Sequence, residues 1–269
     1  MESSQLKITR WRKALLGSDS GGPLRVAVVT PYFKETEDIL GVCRRSVLDQ
    51  TYPCSQIFVA DGFPSTTVAS WNGHHIVLPA SHADAGNTPR AIGSLSAAAL
   101  GFDAIAFLDA DNWYKAEHIQ SLVDACLQSG AEVCASGRDI HRLDGSLLLA
   151  GGEPGDGVSH IDTSSMMLTR PAFGLLAFWT LMPRHFAALG DRLFWAKAKN
   201  AGHPIALTRL PTVCYRTPYA DHYLACGETP PAGVKTTSFV RESIAWWEAL
   251  PGEERAVITR QLGFDVQFR

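Results

Sequence analysis

The chain has 269 residues, of which 46% are hydrophobic and 19% charged, and its formal net charge is −3. This composition is typical of a globular protein with a large core, and the charge gives no general basic surface for binding nucleic acid. No apolar run approaches the roughly 20 residues that cross a bilayer. The N-terminus lacks the continuous apolar stretch of a signal peptide, so we expect a cytoplasmic protein without a nucleic-acid partner.

Residues 1–22 are polar and run into the flexible joint "GSDSGGP". We predict a loosely docked tail for this segment. A second interpretation stays open, because "LKITRWRKALL" has the charge and spacing of a short basic helix in peripheral contact with a membrane.

The cysteines are scattered and form no CxxC pair, which is the spacing typical of a zinc or redox site. We therefore expect free thiols in a reducing cytosol, where they pack as small apolar residues. The six are Cys43, Cys54, Cys126, Cys134, Cys214 and Cys226.

Strand and helix patterns alternate up to Gly137. Apolar runs in "RVAVVTPYF", "SQIFVADG", "HHIVLP", "AIAFLDAD" and "AEVCASG" indicate strands. Helical spacing is found in "TEDILGVCRRSVLDQ" (with Thr36 as N-cap), "NTPRAIGSLSAAALG" and "KAEHIQSLVDACLQSG". This alternation predicts an α/β fold, an open and mostly parallel sheet with helices on both faces.

The regular alternation of strand and helix patterns ends at Gly137. Asp144-Gly145 and glycine-rich turns predict an antiparallel excursion, which is followed by a helix in "GDRLFWAKAKNAG" and a strand in "IALTRLPTVCYR". We divide the chain into a tail (1–22), an α/β domain (23–225) and a helical extension (226–269). Trp246 and Trp247 of the extension are predicted to pack against the α/β domain.

Three predicted strands end in polar groups, namely Thr30-Pro31, Asp61-Gly62 and Asp109-Ala110-Asp111. The carboxyl ends of parallel strands meet at one edge of a sheet, where ligands bind. Two carboxylates one residue apart repel each other unless a cation lies between them. The first strand leads into "TPYFKETED", so neither a GxGxxG dinucleotide motif nor a P-loop is present there.

From about Arg25 to Arg216 the chain resembles the GT-A glycosyltransferases of family 2. The resemblance rests on "VAVVTPYFKE", "LDQTYPCSQIFVADG", "NTPRAIGSLSAA", "FLDADN" and "GDRLFWAKAKNAG", in that order. It implies a nucleotide-sugar half (23–137) and an acceptor and catalytic half (138–225). The implied activity is metal-dependent, inverting sugar transfer from a nucleotide sugar, typically a UDP-sugar, to a glycan, lipid-linked or protein hydroxyl.

The resemblance also assigns roles to residues. Asp61 would accept a hydrogen bond from the base at uracil N3, and Arg90 would lie near the pyrophosphate. Asp109 would hold the ribose or a metal-bound water, and Asp111 would bind Mn²⁺ or Mg²⁺. The residues implied to line the donor pocket are Thr30, Pro31, Glu35, Asp61, Asp84, Arg90, Asp109, Ala110 and Asp111.

Asp191 is implied to be the general base, with His222 as a further metal ligand. The chain departs from the family pattern at both places. Gly190 stands where many relatives carry glutamate, and the histidine comes later than usual in "YRTPYADHY". Should Asp191 not be the base, Glu153 and Asp156 are the next carboxylates to consider.

Each of these residues also has a purely structural interpretation. Asp61 could begin a turn, Asp109 and Asp111 could cap the following helix, Asp191 could be an N-cap, and Arg90 could be a solvated helix residue.

Two other functions stay open. A sugar-phosphate nucleotidyltransferase shares the α/β plan, but it would carry a glycine-rich loop after the first strand, and "TPYFKETED" has no glycine. A catalytically silent module that kept the fold and still bound the nucleotide sugar is the second alternative.

Overall fold

The structure is a computed structural model that describes residues 23–151 and 160–267. The interpretation of 1–22 as a tail or membrane-surface helix therefore lies outside the described residues. The strands are β1 (Val26–Tyr32), β2 (Cys54–Ala60), β3 (His74–Val77), β4 (Ala104–Phe107), β5 (Trp113–Tyr114), β6 (Val133–His141), β7 (Leu147–Leu149), β8 (Met166–Thr169) and β9 (Ile205–Arg216). The α-helices are α1 (Glu37–Leu48), α2 (Thr66–Ser70), α3 (Asn87–Ala99), α4 (His118–Ser129), α5 (Gly190–Asn200), α6 (Ala220–Ala225), α7 (Ser238–Ala249) and α8 (Gly252–Leu262). Short 3₁₀ segments span Thr163–Ser165, Arg170–Thr180 and Arg184–Leu189.

A single mixed sheet runs in the order β3-β2-β1-β4-β8-β6-β9-β5, and β7 pairs with β6. The first four strands are parallel, so their carboxyl ends share one edge. β8 then runs antiparallel to both β4 and β6, while β6 and β9 are again parallel. The α/β sheet predicted from the alternating pattern is confirmed, and its two halves are joined through β8.

Helices cover both faces of the sheet. Side chains alternate along each strand, so Val28 and Val29 of β1 enter different core clusters. The cluster that contains Val28 includes residues of α1 and α4, whereas the cluster that contains Val29 includes residues of α3, α5 and the 3₁₀ segment Arg170–Thr180. Contact between α3 and the sheet is close at Gly93, where a Cβ atom would lie 2.7 Å from methyl carbons of both Val29 and Val59.

The second half of the chain contains the predicted antiparallel excursion. The turn at Asp144-Gly145 joins β6 to β7, and the Gly145 amide donates to the Arg142 carbonyl oxygen at 2.9 Å. The strand in "IALTRLPTVCYR" and the helix beginning at Gly190 are both present. The pattern did not predict α2, β5 or the long 3₁₀ segment, because each is short or lacks a regular period.

The C-terminal helical stretch folds as α7 and α8, which are separated at Pro251. Trp246 and Trp247 of α7 both contact the Phe186 ring, with centroids 5.1 and 5.6 Å away. The prediction that this tryptophan pair packs against the preceding domain is confirmed. None of the helices within 23–151 and 160–267 combines the length and apolar character needed to span a membrane.

The prediction of six free thiols is wrong for two of them. Cys126 of α4 and Cys134 of β6 form a disulfide, and their Cα atoms are 6.3 Å apart. The helix packs back on the strand that follows it, which brings together two cysteines whose spacing matches no short cysteine motif. The other four cysteines are free.

Candidate active site

A cavity of about 530 Å³ opens at the carboxyl edge of β1, β2 and β4. Its wall combines the strand ends with the loop before α3, the first turn of α5 and the segment after β9. Nine of the eleven residues implied by the sequence line it, and they are Pro31, Glu35, Asp61, Asp84, Arg90, Asp109, Ala110, Asp111 and Asp191. Residues more than 150 positions apart therefore meet in one cavity, as the parallel topology predicts.

Thr30 and His222 do not line this cavity. Thr30 is fully buried within β1, where its Oγ1 accepts a hydrogen bond from Gln56 Nε2 at 2.9 Å. His222 Nδ1 lies 2.6 Å from Thr217 Oγ1, and the ring packs edge to face against Tyr215 and Tyr219. His222 therefore contacts Tyr215 and Tyr219, which line the cavity, but it does not line the cavity itself.

Asp61 follows β2 and is held by the loop before α3. Its carboxylate accepts the His82 amide at 2.9 Å and the Ser81 hydroxyl at 3.1 Å, and His82 Nδ1 lies 2.9 Å from the same group. Burial raises the pKa of the Asp61 carboxyl, but these hydrogen bonds outweigh burial and leave the pKa below its usual value. Asp61 is therefore an ionised acceptor on the cavity wall, and the same bonds anchor the loop before α3.

The loop from Asp61 to α3 has left-handed backbone at Ala83 and Ala85, with φ of 48° and 56°. Asp84 lies between them, and its Oδ2 accepts from the Thr88 amide and hydroxyl at 2.8 and 2.6 Å. These bonds fix the first turn of α3 against the cavity. Asp84 therefore has a structural role in addition to its place in the wall.

The turn after β4 carries Asp109, Ala110, Asp111 and Asn112. Asn112 is buried and connects distant elements, since its side-chain amide donates to Ser164 Oγ at 3.0 Å and its Oδ1 accepts the Arg216 amide at 2.9 Å. The next helix begins at His118, after β5, with Glu117 at its N-cap position. The interpretation that the two aspartates cap this helix is therefore wrong.

Arg90 on α3 pairs with Asp109. The two side chains are 2.6 Å apart, Arg90 Nη1 donates to Asn87 Oδ1 at 3.1 Å, and the guanidinium lies 4.7 Å from the centre of the Trp179 ring. Arg90 is only 3% exposed, so its interpretation as a solvated helix residue is wrong. A buried cation with a planar hydrogen-bonding face is suited to binding phosphate oxygens.

Negative charge is concentrated around Asp111. Burial and the nearby carboxylates of Asp109, Glu35 and Asp162 raise its pKa from 3.8 to about 7. A divalent cation with oxygen ligands would relieve this repulsion, so the donor set fits Mn²⁺ or Mg²⁺. Within 23–151 and 160–267, no three His, Cys, Asp or Glu side chains gather as a ready metal cage. Mg²⁺ commonly takes one or two protein carboxylates and completes its shell with phosphate oxygens and water.

Asp191 lies in the first turn of α5, one residue after the helix begins at Gly190. The N-cap position belongs to Leu189, so the interpretation of Asp191 as the N-cap is wrong. Its Oδ2 lies 2.7 Å from His160 Nε2, and its Oδ1 accepts the Arg192 amide at 2.7 Å. Burial raises the pKa of Asp191, but the interactions with His160 and Arg192 outweigh it and lower the pKa below its usual value. The alternative carboxylates Glu153 and Asp156 lie outside the described residues.

Gly190 has a steric reason to be glycine. A Cβ atom at this position would lie 2.7 Å from Asn87 Oδ1, the same oxygen that accepts from Arg90. Asn87 is buried, and its Nδ2 donates to the Ala187 carbonyl oxygen at 3.1 Å. A glutamate at position 190 would therefore displace Asn87.

Several lining residues were missed by sequence reasoning. They are polar or aromatic side chains to which the sequence assigned no role, including Tyr32, Phe33, Asn87, Asp162, Tyr215, Tyr219 and Lys235. The polar run "HIDTSS" after the glycine-rich turn was the available signal for Asp162.

Comparison with known proteins gives matches in structure alone. No protein-family model matches the chain, and no curated protein matches it. Among solved structures, residues 1–349 of S. aureus TarS in complex with UDP-GlcNAc match with a TM-score of 0.57 and 14% identity over 89% of this chain and 70% of that chain. The same part of TarS in complex with UDP matches with a TM-score of 0.55 and 15% identity over the same shares.

At this level of identity the likeness concerns the fold. It agrees with the resemblance found in the sequence motifs and with the sheet topology described above. The chain has the GT-A glycosyltransferase fold.

Proposed function

We propose that the chain is a metal-dependent, inverting glycosyltransferase that transfers a sugar from a UDP-sugar to a hydroxyl acceptor in glycan or polysaccharide biosynthesis. The observation that carries this proposal is the cavity at the carboxyl edge, which brings Asp61, Asp109, Asp111, Arg90 and Asp191 together. The fold shared with TarS, which was solved with UDP and with UDP-GlcNAc, supports a UDP-sugar as the donor.

Donor binding is assigned to the first half of the chain. The ionised Asp61 carboxylate has acceptor capacity left beyond its bonds to His82 and Ser81, and it suits the N3–H of uracil. Arg90 suits the pyrophosphate, because a guanidinium offers paired donors to phosphate oxygens. In the structure Arg90 pairs with Asp109. When the pyrophosphate binds, Arg90 would either contact both the Asp109 carboxylate and the phosphate oxygens or exchange Asp109 for the phosphate oxygens.

Asp109 and Asp111 are the residues that would hold Mn²⁺ or Mg²⁺. When bound, the cation would supply positive charge beside the leaving diphosphate. Asp111 must lose its proton to become a ligand, because its pKa is about 7.

Asp191 is proposed as the general base. A sugar hydroxyl is a weak nucleophile, so a carboxylate must take its proton while its oxygen attacks the anomeric carbon. The new C–O bond forms on the face opposite the bond to the diphosphate, which breaks and releases UDP with the electron pair. One displacement of this kind inverts the anomeric configuration.

The acceptor is proposed to approach from the side of α5 and α7. A second cavity of about 410 Å³ lies there and is lined by Arg192, Asp221, Thr237, Val240 and Arg241. Arg192 directly follows Asp191 in α5, and this adjacency is the reason for proposing the second cavity as the acceptor side. A glycan, a lipid-linked glycan or a protein hydroxyl are the acceptor classes to test.

The experiment has two stages. Thermal shifts with UDP, GDP and dTDP, each with and without Mn²⁺, identify the nucleotide, because a ligand stabilises the fold that binds it. Release of UDP from UDP-sugars is then measured with a panel of acceptors. We expect the largest shift with UDP plus Mn²⁺, and turnover with at least one sugar.

Other outcomes point to the alternatives. Pyrophosphate release from UTP and a sugar phosphate would show a nucleotidyltransferase. UDP-sugar binding without hydrolysis or transfer would show a silent binding module.

A further inference from the structure

His160 forms a close pair with Asp191 at the edge of the cavity. Its Nε2 lies 2.7 Å from Asp191 Oδ2, and each side chain is 22% exposed. The other carboxylate oxygen accepts the Arg192 amide. These two contacts fix the orientation of the Asp191 carboxylate, and the side chain still lines the cavity.

The chain around His160 is anchored on its C-terminal side. Ile161 is 1% exposed in the core, and Asp162 pairs with Arg138 at 2.6 Å. Ser164 follows and its Oγ accepts the Asp109 amide at 3.2 Å. The segment that carries His160 thus supports the strand end with the two aspartates as well as Asp191. Buried contacts therefore hold this segment in place.

We propose that His160 is a positioning residue, which orients the Asp191 carboxylate and keeps it ionised for proton transfer. This proposal rests on the proposed function of Asp191 as the general base. Asp191 would remain the group that contacts the acceptor proton, and His160 would act through it. A partly buried base of this kind needs a partner, because burial favours the protonated form of a carboxylate that has none.

Other charged groups also face Asp191. Arg192 lies next to it on α5 and favours the ionised carboxylate, whereas Asp162 disfavours it. Tyr219 also interacts with Asp191, and its own pKa is raised to about 12, mainly by burial. At neutral pH Tyr219 is thus uncharged, which leaves His160 and Arg192 to balance burial and Asp162.

The test uses two substitutions at position 160 and a matched control. His160→Ala removes the donor, and His160→Gln replaces it with an uncharged amide donor of similar reach. His203→Ala is the control, because His203 pairs with Glu132 at 2.6 Å, is 18% exposed and does not line the cavity. The Asp191 carboxyl is titrated by carbon NMR with labelled aspartate, and its signal is assigned by its loss in Asp191→Asn.

We expect His160→Ala to raise the pKa of Asp191 by about one unit or more, because the variant loses a close partner that favours the ionised carboxylate. His160→Gln should give a smaller rise, and His203→Ala should give none. An unchanged Asp191 titration in His160→Ala would overturn the proposal, and this readout does not depend on finding a substrate.

Kinetics separates this proposal from the proposed function. If the wild type transfers sugar, His160→Ala should lower kcat about tenfold or more, leave donor Kd unchanged and move the acid limb of the pH profile upward. His160→Gln should recover part of the rate. A lower kcat with an unmoved acid limb would overturn the proposal. Absence of transfer by the wild type would refute the proposed function, while the NMR titration still decides the role of His160.

Discussion

Asp111→Asn should stabilise the free protein, by an amount that grows with pH. The folded-state pKa of Asp111 is about 7, whereas its ordinary value is 3.8, a difference of about 3 units. Each unit corresponds to 1.36 kcal/mol, so ionised Asp111 costs the fold at most about 4 kcal/mol. The sign follows from proton binding: between these two values the folded state holds more protons, and stability falls as pH rises. Asparagine carries no charge and removes this cost.

Urea unfolding at pH 4, 5.5 and 8 in the presence of EDTA measures the effect. The gain in unfolding free energy of Asp111→Asn over wild type should be near zero at pH 4 and should approach its maximum at pH 8. Asp265→Asn is the control, since this aspartate is exposed and does not line the cavity. A gain that does not depend on pH, or a loss of stability at pH 8, would refute the reasoning about carboxylate repulsion.

Three further predictions follow from the site. Gly190→Ala should cost about 1–3 kcal/mol in urea unfolding and weaken UDP binding, because its Cβ would displace Asn87, whereas Gly174→Ala has open space and should change neither. Asp61→Ala should weaken UDP binding about tenfold or more in calorimetry and leave Mn²⁺ binding close to wild type; equal losses for both ligands would contradict its assignment to the base. Mn²⁺-dependent UDP binding should strengthen as pH rises through about 7, where Asp111 loses its proton, and a flat profile between pH 6 and 8 would contradict this.

The sequence predicted the first half of the fold well because each element there has a clear period. The apolar run of β1, the helical spacing of α1 and the acidic end of β4 are all local signals. The antiparallel direction of β8 agrees with the predicted antiparallel excursion, but its place between β4 and β6 was not predicted, because an apolar strand of four residues carries no signal for its neighbours in the sheet. That place depends on the path of the whole chain.

The site was predictable where a motif marked it, and it was missed where side chains converge from distant positions. The Asp109-to-Asp111 motif is visible in the sequence, but its support by Ser164 and Arg216 joins residues 55 to 105 positions apart. The pairing of His160 with Asp191 is of the same kind. At His222 the sequence instead pointed to a residue that is not in the site. The resemblance implied a metal ligand there, but the His222 ring lies at hydrogen-bond distance from Thr217 and does not line the cavity.

The most direct test of the proposed chemistry is a comparison of Asp191→Asn with wild type for both donor binding and sugar transfer. Asparagine keeps the size of the side chain and an oxygen acceptor, but it cannot take the acceptor's proton. We predict donor affinity close to wild type and a fall in turnover of roughly 10² to 10⁴, the usual contribution of one general base. A variant that binds the donor normally and still transfers sugar at a near wild-type rate would contradict the assignment of Asp191 as the base.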